Sequence, residues 1–420
     1  MIEKIYAKIE EQYFSSGDFN GLPVHKLLYD LNVPMGELRA IIRHGIDSNV
    51  LTVEMLGNTH IKSFSSVPKV KVLEHYDTED FPSNMCLYPH PDRLKTTRKL
   101  SEYSDTPYQL ELAKGSGQLD YVTFDLSVLE FYRNDPRYTY DTDFIHGYIC
   151  ITDEHFQSKL VPEKDQVILK SFGFAYDDDF NRYVAVFIRY LASLSPEHQQ
   201  IWRAKEVIGD IKLHPDYFNS SINGSWGTRL SIFEAFVQEL DIINKMAALM
   251  DKPPLFHNSF YQDRPKDFGF LLRPTISEFN SFMHLLDKIM SDNINKKFFE
   301  DDVNVETEEE RADGKVIVRN KGTIQILSDW IDKYYQIPDR KPVDDMLAAF
   351  RKVRKLRQKP AHKVNADAFD QSLFKEQREI VIKAYDAVRT LRLMLSNHPM
   401  VRTNPPKISE RLYKGEIWDI

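Results

Sequence analysis

The chain has 420 residues and a formal net charge of −8, with 42% hydrophobic and 12% aromatic residues. That composition describes a globular protein with room for about two to four domains and excludes an intrinsically disordered chain. No run approaches the roughly 18 apolar residues of a membrane span, and the acidic balance excludes a chain coated for nucleic acid over its whole surface.

The charged, amphipathic start MIEKIYAKIEEQYF lacks the apolar core of a secretory signal. Residues 1–66 read as a small helical unit closed by a hairpin. Ile2, Ile5 and Ile9 recur at helical spacing, and Leu22, Val24, Leu27, Leu28 and Leu31 predict a second helix. Pro34 suits the first turn of a third, on which Leu38, Ile41, Ile42 and Ile46 form one stripe. Strands are expected at 50–55 and 60–64, on either side of the turn Leu56-Gly57-Asn58-Thr59. Three helices followed by a two-stranded wing resemble the winged-helix fold, which implies DNA contact through the third helix. Arg39 and Arg43 are the residues that helix would present. The charge balance opposes that use: residues 1–66 hold six basic and eight acidic side chains, and Asp47 continues the face of the two arginines. Protein docking and a purely structural role stand beside DNA contact as readings of this region.

A proline-bearing linker is expected over 67–91, then a mixed α+β middle region over 92–270. Strands are predicted at 118–124 and 144–152, a short helix at 126–132 and a helix at 183–194. Lys114-Gly115-Ser116-Gly117 lacks the spacing and the Gly-Lys-Ser/Thr of a phosphate-binding loop. Asp177-Asp178-Asp179 reads as a polar turn rather than a cation site. Cys86 and Cys150 have no CxxC partner, which argues against a zinc knuckle or a disulfide scaffold and fits a reducing cytoplasm. No histidine pair has HExxH spacing, and no Gly-x-Ser-x-Gly elbow is present, so neither a metal nor a cofactor is expected.

A strong amphipathic helix spans 231–250, and prolines 253, 254, 265 and 274 mark the next boundary. Residues 275–398 read as four helices: 277–299, 322–335, 343–357 and 371–395, with an acidic, solvated loop over 300–313. Residues 399–420 carry prolines 399, 405 and 406 and read as a surface tail.

The third helix of that set carries the chemistry. Val343, Met346, Leu347, Phe350 and Val353 form its buried stripe, and Arg354 and Arg357 fall within about 40° of the stripe's centre at 100° per residue. A charge on the apolar side of a helix needs a partner or a cleft. Lys352 and Lys355 point the other way. Pro360 ends the helix, so His362 leaves its axis. Residues 351–363 hold seven basic side chains and no acid, and 340–392 hold 14 basic against seven acidic, a local footprint for a phosphate backbone.

Four helices with Arg357-Gln358-Lys359-Pro360-Ala361-His362 at the end of the third resemble the HEPN superfamily of nucleotide-binding and ribonuclease domains. Its signature is an arginine and a histidine separated by four to six residues, with a polar residue directly after the arginine. The match has the minimum spacing, and its polar position is glutamine where asparagine, aspartate or histidine is more usual. The resemblance implies metal-independent RNA cleavage in which Arg357 steadies the charge on the phosphate and His362 transfers protons. Gln358, Arg354, Lys355 and Lys359 would bind the RNA. It further implies an active site formed where two such domains pair, so a homodimer, or a second HEPN or regulatory protein, is the expected partner, in a toxin or antiviral effector restrained until triggered. Two other readings remain: a non-catalytic HEPN and winged-helix interaction protein, and a nucleic-acid-binding regulator. In the bland case Arg357 pairs with an acid such as Glu376 or Asp370.

Overall fold

The computed structural model describes residues 1–420 apart from 56, 66, 82–83, 144, 180, 226–228, 311–315, 336–337, 359–366 and 419–420. The protein is mixed α+β and divides into two compact units. The first comprises 1–140 and 146–217, and the second 141–145 and 218–420. The division differs from the sequence expectation. Residues 1–66 share a unit with the sheet that follows them, and 218–270 belong with the helices of 275–398 rather than with a separate middle region.

In the first unit, the apolar spacing of Ile5 and Ile9 builds α1 (Ile2–Ser15), followed by β1 (Leu22–Pro23), α2 (Val24–Leu31), α3 (Met35–Asp47) and β2 (Leu51–Glu54). Leu38, Ile42 and Ile46 of α3 bury their stripe against Ile5, Ile9 and Leu27. The expected wing differs. The partner of β2 is β3 (Cys86–Pro89), which also pairs with β1, so the antiparallel order is β1-β3-β2. The expected linker therefore holds β3 and a helix, α4 (Lys69–Thr78), that buries Val72 and Tyr76. Residues 60–64 form no strand. Their backbone is taken instead by the 115–120 turn, where Gln118 and Leu119 N–H groups donate to the Lys62 and Ser63 carbonyls at 2.7 and 3.0 Å. Gly117 permits this approach, because a Cβ there would stand 2.5 Å from Phe64 Cα.

The rest of the unit is a six-stranded sheet with main order β4 (Tyr121–Phe124), β8 (Arg182–Phe187), β7 (Ile168–Tyr176), β6 (His146–Ile151) and β5 (Tyr138–Thr142), with β9 (Lys212–Leu213) pairing β7. The helix expected over 183–194 is β8 followed by a short helix, Ile188–Ala192. Tyr183, Val184, Ala185 and Val186 pair in register with β7 and β4, and that ladder overrides a weak local helical pattern. Asp177 closes the β7–β8 turn by accepting from the N–H groups of Asp179 and Asn181 and from the Tyr183 hydroxyl.

The second unit is built on α5 (Ile232–Leu249), α6 (Ile276–Met290), α7 (Thr323–Tyr334), α8 (Lys341–Gln358) and α9 (Ser372–Leu395). Side-chain N-caps start two of them: Ser231 accepts from Glu234 N–H at 3.1 Å, and Thr275 from Glu278 N–H at 3.2 Å. α9 packs on both α5 and α8, and α8 packs on α6. Glu239 of α5 and Arg392 of α9 form an ion pair inside this bundle, with Glu239 fully buried. The helix expected over 277–299 ends at Met290. The expected acidic loop is a ribbon, β11 (Glu306–Glu310) against β12 (Val316–Asn320). The C-terminal tail is partly ordered into the unit, its Ile417–Trp418 strand (β13) pairing in parallel with Leu230–Ser231 (β10).

Candidate functional site

On α8, Val343, Met346, Leu347, Phe350 and Val353 are buried as the periodicity predicts. Continuing that stripe places Arg354 and Arg357 against α6. There Phe282, Met283, Leu286 and Met290 form the matching apolar stripe, interrupted by Asp287, whose side chain is 0% exposed. A buried carboxylate needs cations within bonding distance, and α8 supplies two. Arg357 Nη1 donates to Asp287 Oδ2 at 2.6 Å, and Arg354 Nε to Asp287 Oδ1 at 3.3 Å. Asp292, just past the end of α6, closes the cluster. It accepts from Arg354 Nη2 at 2.6 Å and from the same Arg357 Nη1. Both arginines lie in the last turns of α8, where the helix dipole favours cations. Bonds to Asp287, and then to Asp292, raise the Arg357 pKa above its ordinary value.

The bonding is unequal in a way that matters chemically. Arg357 is held through Nη1 alone, so its Nε–H and Nη2–H donors have no protein partner among the described residues. Its side chain is 30% exposed. A guanidinium fixed at one nitrogen, with the rest of its planar fork unbonded to any described residue, is suited to a two-oxygen anion such as a phosphodiester.

The structure brings Arg354 and Arg357 together. Lys355 and Gln358 are exposed on the same helix. Lys359 and His362 lie outside the described residues. The acids proposed from sequence for Arg357 are not its partners. Asp370 instead caps Ser372, accepting from its N–H at 2.9 Å and its hydroxyl at 2.7 Å. Sequence reasoning missed Asp287 and Asp292, although Asp287 carried a signal: it interrupts an apolar stripe, as Arg354 does.

Arg39 and Arg43 have a different fate. Arg39 Nη2 donates to the carbonyls of Tyr76, Asp77 and Glu79 at 3.2, 3.3 and 3.2 Å, at the C-terminal end of α4. Its guanidinium lies 5.9 and 5.8 Å from the Tyr76 and Phe81 ring centres. Arg43 donates through Nε and Nη2 to both oxygens of Asp77 at 2.8 and 2.9 Å, holding that carboxyl below its usual range. The face of α3 expected to meet DNA is occupied by α4.

Other polar clusters are closed. Tyr132, His198 and Trp202 are buried and bonded to one another, with the Tyr132 oxygen 2.8 Å from His198 Nδ1 and 3.0 Å from Trp202 Nε1. Cys86 lies 3.7 Å from His60 Nδ1, but burial pushes its thiol up, the opposite of what a nucleophile needs. Among the described residues no group of three or more His, Cys, Asp or Glu side chains is arranged to hold a metal ion, and no helix is long and apolar enough to cross a membrane. No protein-family model, curated protein or solved structure matches the chain.

Proposed function

We propose that the chain is a HEPN-type, metal-independent endoribonuclease, acting in the cytoplasm as a toxin or effector of a microbial antiviral or stress system. One observation carries the reading: the arginine of the Arg-Gln-x-x-x-His motif is anchored by a buried acid, yet its Nε and Nη2 have no partner among the described residues. In this reaction the ribose 2′-hydroxyl attacks the adjacent phosphate. The hydroxyl proton leaves to a base and the 5′-oxygen of the next nucleotide is expelled, giving a 2′,3′-cyclic phosphate. Arg357 stabilises the charge on the phosphate oxygens, and His362, five positions on, moves the protons. Gln358 orients the pair or the RNA, and Arg354, Lys355 and Lys359 contact the backbone. A homodimer, or a complex with another HEPN or regulatory protein, completes the site.

The test is incubation of the full chain with total RNA in EDTA. The wild type cuts, leaving cyclic phosphate ends, and Arg357→Ala and His362→Ala each abolish cutting with the circular dichroism spectrum unchanged. Cutting that survives both changes removes the proposal.

A second reading is a non-catalytic HEPN and winged-helix interaction protein. It is favoured by the charge balance of the cluster, in which two aspartates match two arginines. The three-stranded order β1-β3-β2 beside α1, α2 and α3 supports the winged-helix reading of residues 1–66, with the third strand supplied by 86–89. The bonding of Arg39 and Arg43 to α4 favours a docking or structural use of it over a DNA-binding regulator.

A further inference from the structure

We infer that the two aspartates of the cluster do different work: Asp287 positions the arginine fork, and Asp292 holds the place that an RNA phosphate takes. The inference rests on the ribonuclease reading and names the phosphate subsite of that same site.

Both carboxylates bind Arg357 through the same nitrogen, Nη1, but their settings differ. Asp287 lies within α6 with a side chain 0% exposed, among Phe282, Met283, Leu286 and Met290. Moving it would break the packing of α6 on α8. Asp292 stands in the turn after the helix with a side chain 40% exposed, and can rotate into solvent without disturbing a core residue. A carboxylate and a phosphodiester offer a guanidinium the same pair of anionic acceptors at similar spacing. With Asp292 in place, two positive and two negative charges cancel. With Asp292 turned away, the cluster carries one net positive charge (two arginines, one aspartate). Arg357 Nη1, Arg357 Nη2 and Arg354 Nη2 then become available to one phosphate. Asp287 acts through the arginines and is a positioning residue.

The experiment uses the full chain and a fluorescent single-stranded RNA with 2′-O-methyl groups, which binds but lacks the attacking hydroxyl. Removing the competing charge in Asp292→Asn tightens binding about fivefold at low salt, the scale of one exposed ion pair. On cleavable RNA it lowers KM. Adding Arg357→Ala to Asp292→Asn erases the gain. Asp287→Asn weakens binding and lowers kcat; if it fails to fold, Asp292→Asn alone still decides. Binding by Asp292→Asn equal to or weaker than the wild type overturns the inference. Should the wild type then still cut RNA in an Arg357-dependent way, the ribonuclease reading stands without it. Tighter binding by Asp292→Asn with no cutting by either protein supports the phosphate subsite and removes the nuclease.

Discussion

Two arginine pairs in this chain read alike as sequence and differ in three dimensions. Arg39 and Arg43 share one face of α3, and Arg354 and Arg357 share one side of α8. Each pair was a candidate for phosphate. Arg43 is more exposed than Arg357, at 50% against 30%, and grips both oxygens of Asp77 through Nε and Nη2. Arg357 is less exposed and meets two carboxylates with a single nitrogen. Each of these two guanidiniums spends two of its five N–H donors, so the contrast lies in the edge left over and in the neighbours: α4 lies against the α3 pair, whereas Arg357 keeps its Nε and Nη2 edge without a partner among the described residues.

A benchmark for a fully closed pair is Glu239–Arg392, where Arg392→Met leaves a buried carboxylate without its cation. We expect a loss of about 4 kcal/mol in urea unfolding. Glu54 sharpens the contrast from the other side, because no cation bonds to it among the described residues. Burial first, against a Ser63 N–H bond and the charge of Lys62, raises its carboxyl from 4.5 to about 7. The folded state then binds a proton that the unfolded state has released, so this contribution is fully present below pH 4.5 and is lost as pH rises through about 7. Glu54→Gln should remove about 3 kcal/mol of pH dependence over that window, and an unchanged slope in unfolding titrations would contradict the assignment. Asp287→Ala should cost about 2 kcal/mol, less than the closed pair because both arginines can regain water. Arg39→Ala should cost about 1 kcal/mol through lost carbonyl and ring contacts. Arg43→Ala should shift the melting curve least. A melting shift for Arg43→Ala larger than that for Asp287→Ala would reverse the comparison.

Much of this was legible in sequence where periodicity is strong. The stripes of α6 and α8 bury Phe279, Phe282, Met283, Leu286, Val343, Met346, Phe350 and Val353 as their spacing requires. The two displaced arginines on α8 already announced a buried counter-charge. The identity of that counter-charge was not legible, because Asp287 lies 67 positions from Arg354 and only packing brings them together. Residues 60–64 failed for a related reason. Their alternation fits a strand, but their backbone partners lie across the turn at 115–120 rather than on β2. The boundary near 217 was hidden because the polar, glycine-bearing run at 219–228 reads as an ordinary loop, and the place of α5 is set by packing on α9.

We propose that the α8 pair, not the α3 pair, is the one that meets RNA. The most direct measurement is binding of labelled single-stranded RNA to the wild type, to Arg39→Ala/Arg43→Ala and to Arg357→Gln, which leaves Arg354 to neutralise Asp287. The account predicts binding within about twofold of wild type for the α3 variant. For Arg357→Gln it predicts a loss of about tenfold and a shallower salt dependence. Unchanged affinity in Arg357→Gln, or a tenfold loss in the α3 variant, would contradict it.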